Sequence, residues 1–255
     1  MKDPLLIITA VKNDPAGLKR TFDSLLPLNE NFHHLIIENG DACQEMAEQW
    51  RASNPDQVRY VQSSDTGVYS AFNSAIRLHS QSRYVYFLNA GDELIEADGI
   101  VELVNLMETE NSCWGYADLI VSDETGKWSY VYQITPFNRF LFALGIKVIQ
   151  QQSTVYLVEA LRFIGGFDET RTISADMLAH LKLLKIEKPT FVPRVVSRFY
   201  SGGISTRSRK AHARDWNQIL MDEKIWFALP VRIFAPIVTS IWSWNLRKKG
   251  KAIYA

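Results

Sequence analysis

Two aspartates, Asp65 and Asp92, stand in turn-forming segments on either side of one short apolar run, Tyr84–Leu88. Loops at strand ends are where open α/β sheets bind ligands. One carboxylate is placed to hold a nucleotide and the other to hold a metal. Asp65 precedes Val68, Ala71, Phe72, Ala75 and Ile76, which recur at helical spacing. It therefore either accepts hydrogen bonds from a base or ribose, or caps that helix. Asn73, one or two turns on, braces the loop in the plainer reading. Asp92 ends Leu88-Asn89-Ala90-Gly91-Asp92, where Gly91 permits a sharp turn after a buried strand. Mg²⁺ commonly takes only one or two protein carboxylates, with phosphate oxygens and water completing the shell. A single acid is therefore enough. The alternative is that Asp92 or Glu93 caps the next helix, for which Asp98 is better placed. A third acid, Asp176, follows Thr172-Ile173-Ser174-Ala175. It reads either as a first-turn acid favoured by the helix dipole or as a general base. Gln150-Gln151-Gln152 reads as a polar loop or as amides that orient substrate.

The elements that must position these residues follow from periodicity. Leu5–Val11 is a continuous apolar run, the pattern of a strand buried on both faces. Asp14-Pro15 is an N-cap with proline in the first helical position, predicting a helix to about Leu26. Strands are expected at Leu35–Ile37, Val58–Gln62 and Tyr84–Leu88, with helices over Gln44–Ala52, from Val68, and around Ile100–Met107. This alternation predicts an α/β fold with a mostly parallel, doubly wound sheet. Beyond about residue 110 the pattern becomes α+β. A hairpin is expected around Asp123-Glu124-Thr125-Gly126, strands at Ser153–Val158 and Thr190–Tyr200, and a helix at Ala175–Lys185. No Pro/Gly/Ser linker separates the halves, so one shared core is expected.

Composition narrows the function. The chain has 255 residues, 47% of them hydrophobic, enough for a sizeable core. Its 28 basic and 28 acidic residues cancel, which gives no electrostatic argument for nucleic-acid binding. Cys43 and Cys113 lack metal-ligand spacing, and a reduced, cytoplasmic setting is expected. The apolar run at the N-terminus is too short for a signal peptide. His33, His34, His79, His180 and His212 form no metal pair. A Gly-x-Ser-x-Gly elbow, a Walker loop and a Gly-x-Gly-x-x-Gly after the first strand are all absent.

The C-terminal stretch is different in kind. Ile225–Trp244 is nearly all apolar, carries Trp226, Trp242 and Trp244, and runs into Arg247-Lys248-Lys249-Gly250-Lys251. Its length suits a membrane span, but Arg232 lies mid-stretch and Pro230 and Pro236 break it. Arginine at a bilayer centre costs roughly 2.5–3.5 kcal/mol on insertion scales. Peripheral contact with an anionic membrane is the first expectation; the alternative is a helix pair packed on the domain. Arg207, Arg209, Lys210 and Arg214 form a solvated basic helix face or contact a diphosphate or lipid phosphate.

Taken in order, these segments resemble family 2 glycosyltransferases of the GT-A fold, most of all small bacterial enzymes of exopolysaccharide, O-antigen and colanic-acid assembly. The likeness is carried by Ile7-Ile8-Thr9-Ala10-Val11-Lys12-Asn13, Ile36-Ile37-Glu38-Asn39-Gly40, Asp65-Thr66-Gly67-Val68-Tyr69-Ser70-Ala71-Phe72-Asn73, Phe87-Leu88-Asn89-Ala90-Gly91-Asp92 and Gln151-Gln152-Ser153. Gly165-Gly166-Phe167-Asp168-Glu169, Ser174-Ala175-Asp176, Gly202-Gly203-Ile204-Ser205 and Trp244-Asn245-Leu246-Arg247 complete it. The resemblance implies a GT-A catalytic region over 1–205, with a nucleotide-sugar half at 1–110, an acceptor half at 111–205 and a helical tail at 206–255. It implies that Thr9 and Val11 border the base and that Glu38 and Asp65 hold base and ribose. Asn73, Asn89 and Gln152 are further donor-binding candidates. Asp92 is implied to bind Mg²⁺ or Mn²⁺, and Asp176 to be the catalytic base of an inverting transfer. The donor would be a nucleoside-diphosphate sugar, and the acceptor a saccharide or polyprenyl-diphosphate-linked saccharide at the inner face of a bacterial cytoplasmic membrane. Glu38, Ser70, Ser74 and Gln151 depart from the family's usual Asp, Asp, Lys and His. A non-catalytic sugar-nucleotide-binding or scaffold subunit of the same fold is the alternative.

Overall fold

The computed structural model describes residues 5–28, 32–65, 67–78, 82–123, 125, 127–134, 137–201, 209–225, 228–232, 234, 237–238, 240–241 and 244–245. Thr66, Gly202–Ser205, Arg207, Trp226, Trp242 and the basic end from 246 onward lie outside them, as does the side chain of Arg209.

The described strands form one nine-stranded mixed sheet. Its first half is parallel. β1 (Leu5–Val11) pairs with β2 (Phe32–Glu38) on one side and β4 (Tyr84–Phe87) on the other, and β3 (Val58–Gln62) extends beyond β2. The second half mixes directions. β8 (Thr154–Leu157) runs antiparallel to β4, and β6 (Trp114–Asp123) antiparallel to β8. β9 (Thr190–Ser201) lies parallel to β6, β5 (Glu93–Leu94) closes that edge, and β7 (Ser129–Tyr132) makes the expected hairpin with β6.

β1 is buried on both faces because helices cover both. Leu6 and Ile8 join the core beneath α3 (Val68–Leu78), α7 (Ala175–Ile186) and α8 (Arg209–Asp222). Leu5 and Ile7 face α4 (Ala97–Glu110), and Val11 faces α1 (Pro15–Leu25) and α2 (Gln44–Ser53). α1 starts where its sequence dictates. Asp14 caps it by accepting from the Gly17 N–H at 2.9 Å, and Pro15 fills a position whose missing N–H costs nothing. At the centre of the first core, Phe72 of α3 meets Phe87 of β4 with ring centroids 4.3 Å apart, and Phe167 closes on Phe87 at 5.2 Å. Truncating so central a ring typically costs about 3–5 kcal/mol.

Three short elements were not foreseen: β5, α5 (Arg139–Ala143) and α6 (Val158–Phe163). Each is too brief to show a period. One expectation is corrected. Asp98 does not cap α4 but lies in its first turn, and the capping position is taken by Glu96 without a side-chain bond.

The start of the tail packs on the domain. Trp216, Ile219 and Leu220 of α8 and Ala228 enter the main core, and the Trp216 indole N–H donates to Ala143 O at 3.0 Å. Arg232, at the end of α9 (Leu229–Arg232), donates to Leu144 O and to Asn217 Oδ1, each at 2.8 Å. Beyond it Phe234, Ile237, Val238, Ile241 and Trp244 are all exposed. Among the described residues no helix is long and apolar enough to cross a membrane.

Candidate functional site

The C-terminal ends of β2 and β3 open a groove. Gly40, Asp41, Gln62, Ser63 and Ser64 line a hollow of about 600 Å³, and one of about 340 Å³ adds Ile37, Val61, Asp65, Ser74 and Arg77. The two share Gln62, Ser63 and Ser64, so they are continuous. Asp65 sits at the inner end. Its Oδ1 accepts from Ser70 Oγ at 2.7 Å and Ser74 Oγ at 3.2 Å, and its Oδ2 accepts from Ser63 Oγ. Partial burial opposes its ionisation, but the three hydroxyls and the nearby Arg77 outweigh burial and hold the carboxyl below its ordinary range. Asp65 is thus a fixed anion in the groove. Ser70 and Ser74, two of the departures from the family pattern, hold it together with Ser63.

Asp92 terminates the turn after β4. It is buried, its Oδ1 accepts from the Tyr200 N–H at 3.3 Å, and the Gln152 side chain is near enough to favour its ionised form. Burial nevertheless pushes its carboxyl up to about 7, against the lowering influence of Tyr200, Gln152 and Arg20. Beside it in sequence, Asn89 Oδ1 is buried without a partner. A buried acid short of positive charge and an unpaired amide oxygen three residues before it are the kinds of oxygen donor that a hard divalent cation takes. Among the described residues no cluster of three or more His, Cys, Asp or Glu side chains forms a complete cage. The set therefore fits a cation shared with ligand oxygens, not one held by protein alone.

Asp176 lies in the first turn of α7, partly buried, and Tyr69 OH is 3.0 Å from its Oδ1. Burial pushes its carboxyl up to about 6, while Tyr69 and the helix N–H groups pull it back. A carboxyl in that range suits proton abstraction near neutral pH. The loop that delivers it is tied to α3 by Asn73. The Asn73 amide donates to Phe167 O and to Glu169 Oε1, each at 2.8 Å, and its Oδ1 accepts from the Phe167 N–H at 2.9 Å. Gly165 and Gly166 precede Phe167 with φ of +88° and +73°, and a side chain on Gly166 would run into Asn73 Oδ1.

The structure thus brings Asp92 and Gln152 together, and joins the helix that follows Asp65 to Asp176 through Tyr69. Thr9, Val11 and Glu38 are placed elsewhere and do not line the groove. Thr9 Oγ1 donates to Leu88 O and meets His34 Nε2, both at 2.8 Å, inside the sheet. Val11 packs with α1 and α2. Glu38 is fully buried, its two oxygens accepting from the Cys43 N–H and from Tyr60 OH at 2.9 Å each. At the end of β1, Val11 packs with α1 and α2, whereas Ile37 and Val61, on the opposite face, floor the groove. Gln151 is also structural, its amide donating to Phe87 O at 2.7 Å. Sequence reasoning missed Tyr69 as a partner of Asp176, although Tyr69 lies within a quoted motif. It also missed Arg171 and Asp215, whose 44-residue separation leaves no local signal.

The family model for glycosyl transferase family 2 matches residues 6–165. Among curated proteins no sequence match is found. Solved structures of similar shape include S. aureus TarS 1-349 in complex with UDP-GlcNAc, at 13% identity and a TM-score of 0.63, covering 85% of this chain and 64% of that one. The mannosyltransferase PcManGT from Pyrobaculum calidifontis, in complex with GDP-Man and Mn²⁺, aligns at 17% identity and a TM-score of 0.59, over 93% of this chain and 68% of that one. GalNAc-T7 with UDP, GalNAc and Mn²⁺ aligns at 13% identity and a TM-score of 0.63, over 86% and 47%. The chain spans 39% of the longer S. aureus TarS structure. These identities speak to the fold, which is that of GT-A glycosyltransferases. The sequence model covers more than half of the chain, and on that match the protein belongs to glycosyl transferase family 2.

Proposed function

We propose that the protein transfers a sugar, with inversion, from a nucleoside-diphosphate donor to a saccharide acceptor. The observation that carries this reading is the placement of a fixed anion, Asp65, and a cation-seeking acid, Asp92, beyond the C-terminal ends of β3 and β4, parallel strands of one sheet with β2 and β1 between them. Donor-bound relatives of the same fold support it. The base and ribose lie in the groove between Gly40 and Arg77, with Asp65 accepting their N–H or O–H groups. Thr9, Val11 and Glu38 shape that region from beneath. Asn73 acts through the 167–176 loop. Asp92 and Asn89 would hold Mg²⁺ or Mn²⁺ where the diphosphate binds, with Gln152 beside the Asp92 carboxylate. A cation there supplies Lewis-acid stabilisation of the charge on the departing diphosphate. Asp176 accepts the acceptor hydroxyl's proton as that oxygen bonds to the anomeric carbon and the diphosphate leaves from the opposite face.

A polyprenyl-diphosphate-linked saccharide in bacterial surface-polysaccharide synthesis is the acceptor we favour, met at the inner face of the cytoplasmic membrane. Its support is the exposed apolar series Phe234, Ile237, Val238, Ile241 and Trp244, followed by the basic run from Arg247. The test is donor turnover with Mn²⁺ in wild type and in Asp176→Asn. General-base loss should lower turnover by about 10²–10⁴-fold while sparing donor binding; undiminished turnover in the variant refutes the assignment.

A further inference from the structure

Two elements remote in sequence grip the segment that ends in Asp176. From α3, Tyr69 OH lies 2.6 Å from Ile173 O and 3.0 Å from Asp176 Oδ1, its one proton shared between them. From α8, Asp215 Oδ2 accepts from the Ser174 N–H at 3.2 Å, and His212 Nδ1 lies 3.3 Å from Ser174 Oγ. Ser174 is the N-cap of α7, yet its own side chain makes no capping bond. Asp215 thus places an acceptor at that helix start from another part of the chain. Arg171 fixes Asp215 in turn. Its guanidinium binds Asp215, Asp168 at 3.1 Å and Asp222 at 2.9 Å, and it is only 13% exposed.

We propose that Tyr69 and Asp215 are positioning residues that act on Asp176 in opposite senses. Tyr69 donates a hydrogen bond to its carboxylate, and Asp215 sets a second negative charge behind the start of α7. α8, nominally part of the tail, thereby belongs to the catalytic apparatus. The catalytic meaning of this arrangement rests on Asp176 being the base; its effect on Asp176 ionisation does not. The groups that act on Asp176 are Tyr69 from α3, Tyr156 from β8 and Asp215 from α8; one contact further out, His212 of α8 meets Ser174 and Arg171 of the preceding loop pairs with Asp215. Tyr156 OH is engaged by His180 Nε2 at 2.7 Å, and burial pushes His180 down to about 3, so it adds no charge near neutral pH. Beyond the burial that raises it, Asp176 is therefore lowered mainly by Tyr69 and raised by Asp215.

The test is a ¹³C-carboxyl NMR titration of the full chain, with the Asp176 resonance assigned by its loss in Asp176→Asn. Tyr69→Phe should move the Asp176 midpoint upward, and Asp215→Asn, which keeps an acceptor for Ser174, should move it downward. Each shift should be on the order of half a pH unit or more. The acid limb of kcat/KM should follow both. Unmoved midpoints, or movement of both in one direction, overturn the proposal. If Asp215→Asn fails to fold, the upward shift in Tyr69→Phe decides alone. Opposite shifts with undiminished turnover in Asp176→Asn would uphold the tuning and reject the base assignment, so the two failures are distinct.

Discussion

Replacing Asn73 by alanine separates a brace from a ligand contact. Asn73 is 8% exposed and Phe167 is 2% exposed, and the Asn73 amide satisfies both the N–H and the C=O of Phe167. Without it two buried backbone groups lose their partners, at about 1–3 kcal/mol each. Alanine's better helix propensity returns roughly half a kcal/mol. A net loss of about 1.5–5.5 kcal/mol is expected, with the urea midpoint lowered and the m-value unchanged. For a chain of this size that corresponds to about 3–20 °C in Tm. Asn73→Asp, which keeps an acceptor for the Phe167 N–H but cannot donate to its carbonyl, should destabilise as well. In folded Asn73→Ala, donor affinity measured by calorimetry should stay within about threefold (some 0.6 kcal/mol), while turnover falls because the Asp176 loop is loosened. Stability unchanged to within half a kcal/mol, together with lost donor affinity, would refute the reasoning and make Asn73 a direct donor contact.

Further outcomes follow from the same geometry. With Asp176 titrating at about 6, kcat/KM should fall about tenfold per pH unit below that value, because the protonated carboxyl cannot accept a proton; a flat profile down to pH 4.5 would contradict it. Asp92→Asn should abolish the Mn²⁺-dependent part of donor binding, read by calorimetry with and without chelator, and an unchanged Mn²⁺ increment would remove Asp92 from the metal site. A chain ended after Arg232 keeps the bonds to Leu144 and Asn217 and should fold. It should no longer sediment with anionic vesicles, and full retention on them would show that the exposed segment is not the anchor.

The fold was legible because its signals are local. β1 is seven apolar or small residues ending at Val11, Asp14-Pro15 soon starts α1, and α3 carries a five-residue apolar stripe. The acids were legible as positions, since Asp65 and Asp92 follow strands that the pattern identifies. Side-chain partners were less so. Which face of β1 meets the groove depends on where α1 and α2 pack, and odd-numbered Thr9 and Val11 fall beneath those helices. Glu38 looks free in a turn cluster, but Tyr60, 22 residues away on the adjacent β3, reaches it. The Arg171 network joins residues 168, 215 and 222, a convergence that tertiary packing alone creates.

The claim beneath the whole account is that the groove at Asp65 and the turn at Asp92 bind one nucleoside-diphosphate sugar. A thermal-shift panel of UDP-, GDP- and dTDP-sugars, with and without Mn²⁺, tests it directly. One donor class at 100 times its Kd should stabilise the protein by about 2.7 kcal/mol, more with Mn²⁺ than without, and Asp65→Ala should abolish the effect. No stabilisation by any donor, or equal stabilisation of the Asp65→Ala variant, would contradict it.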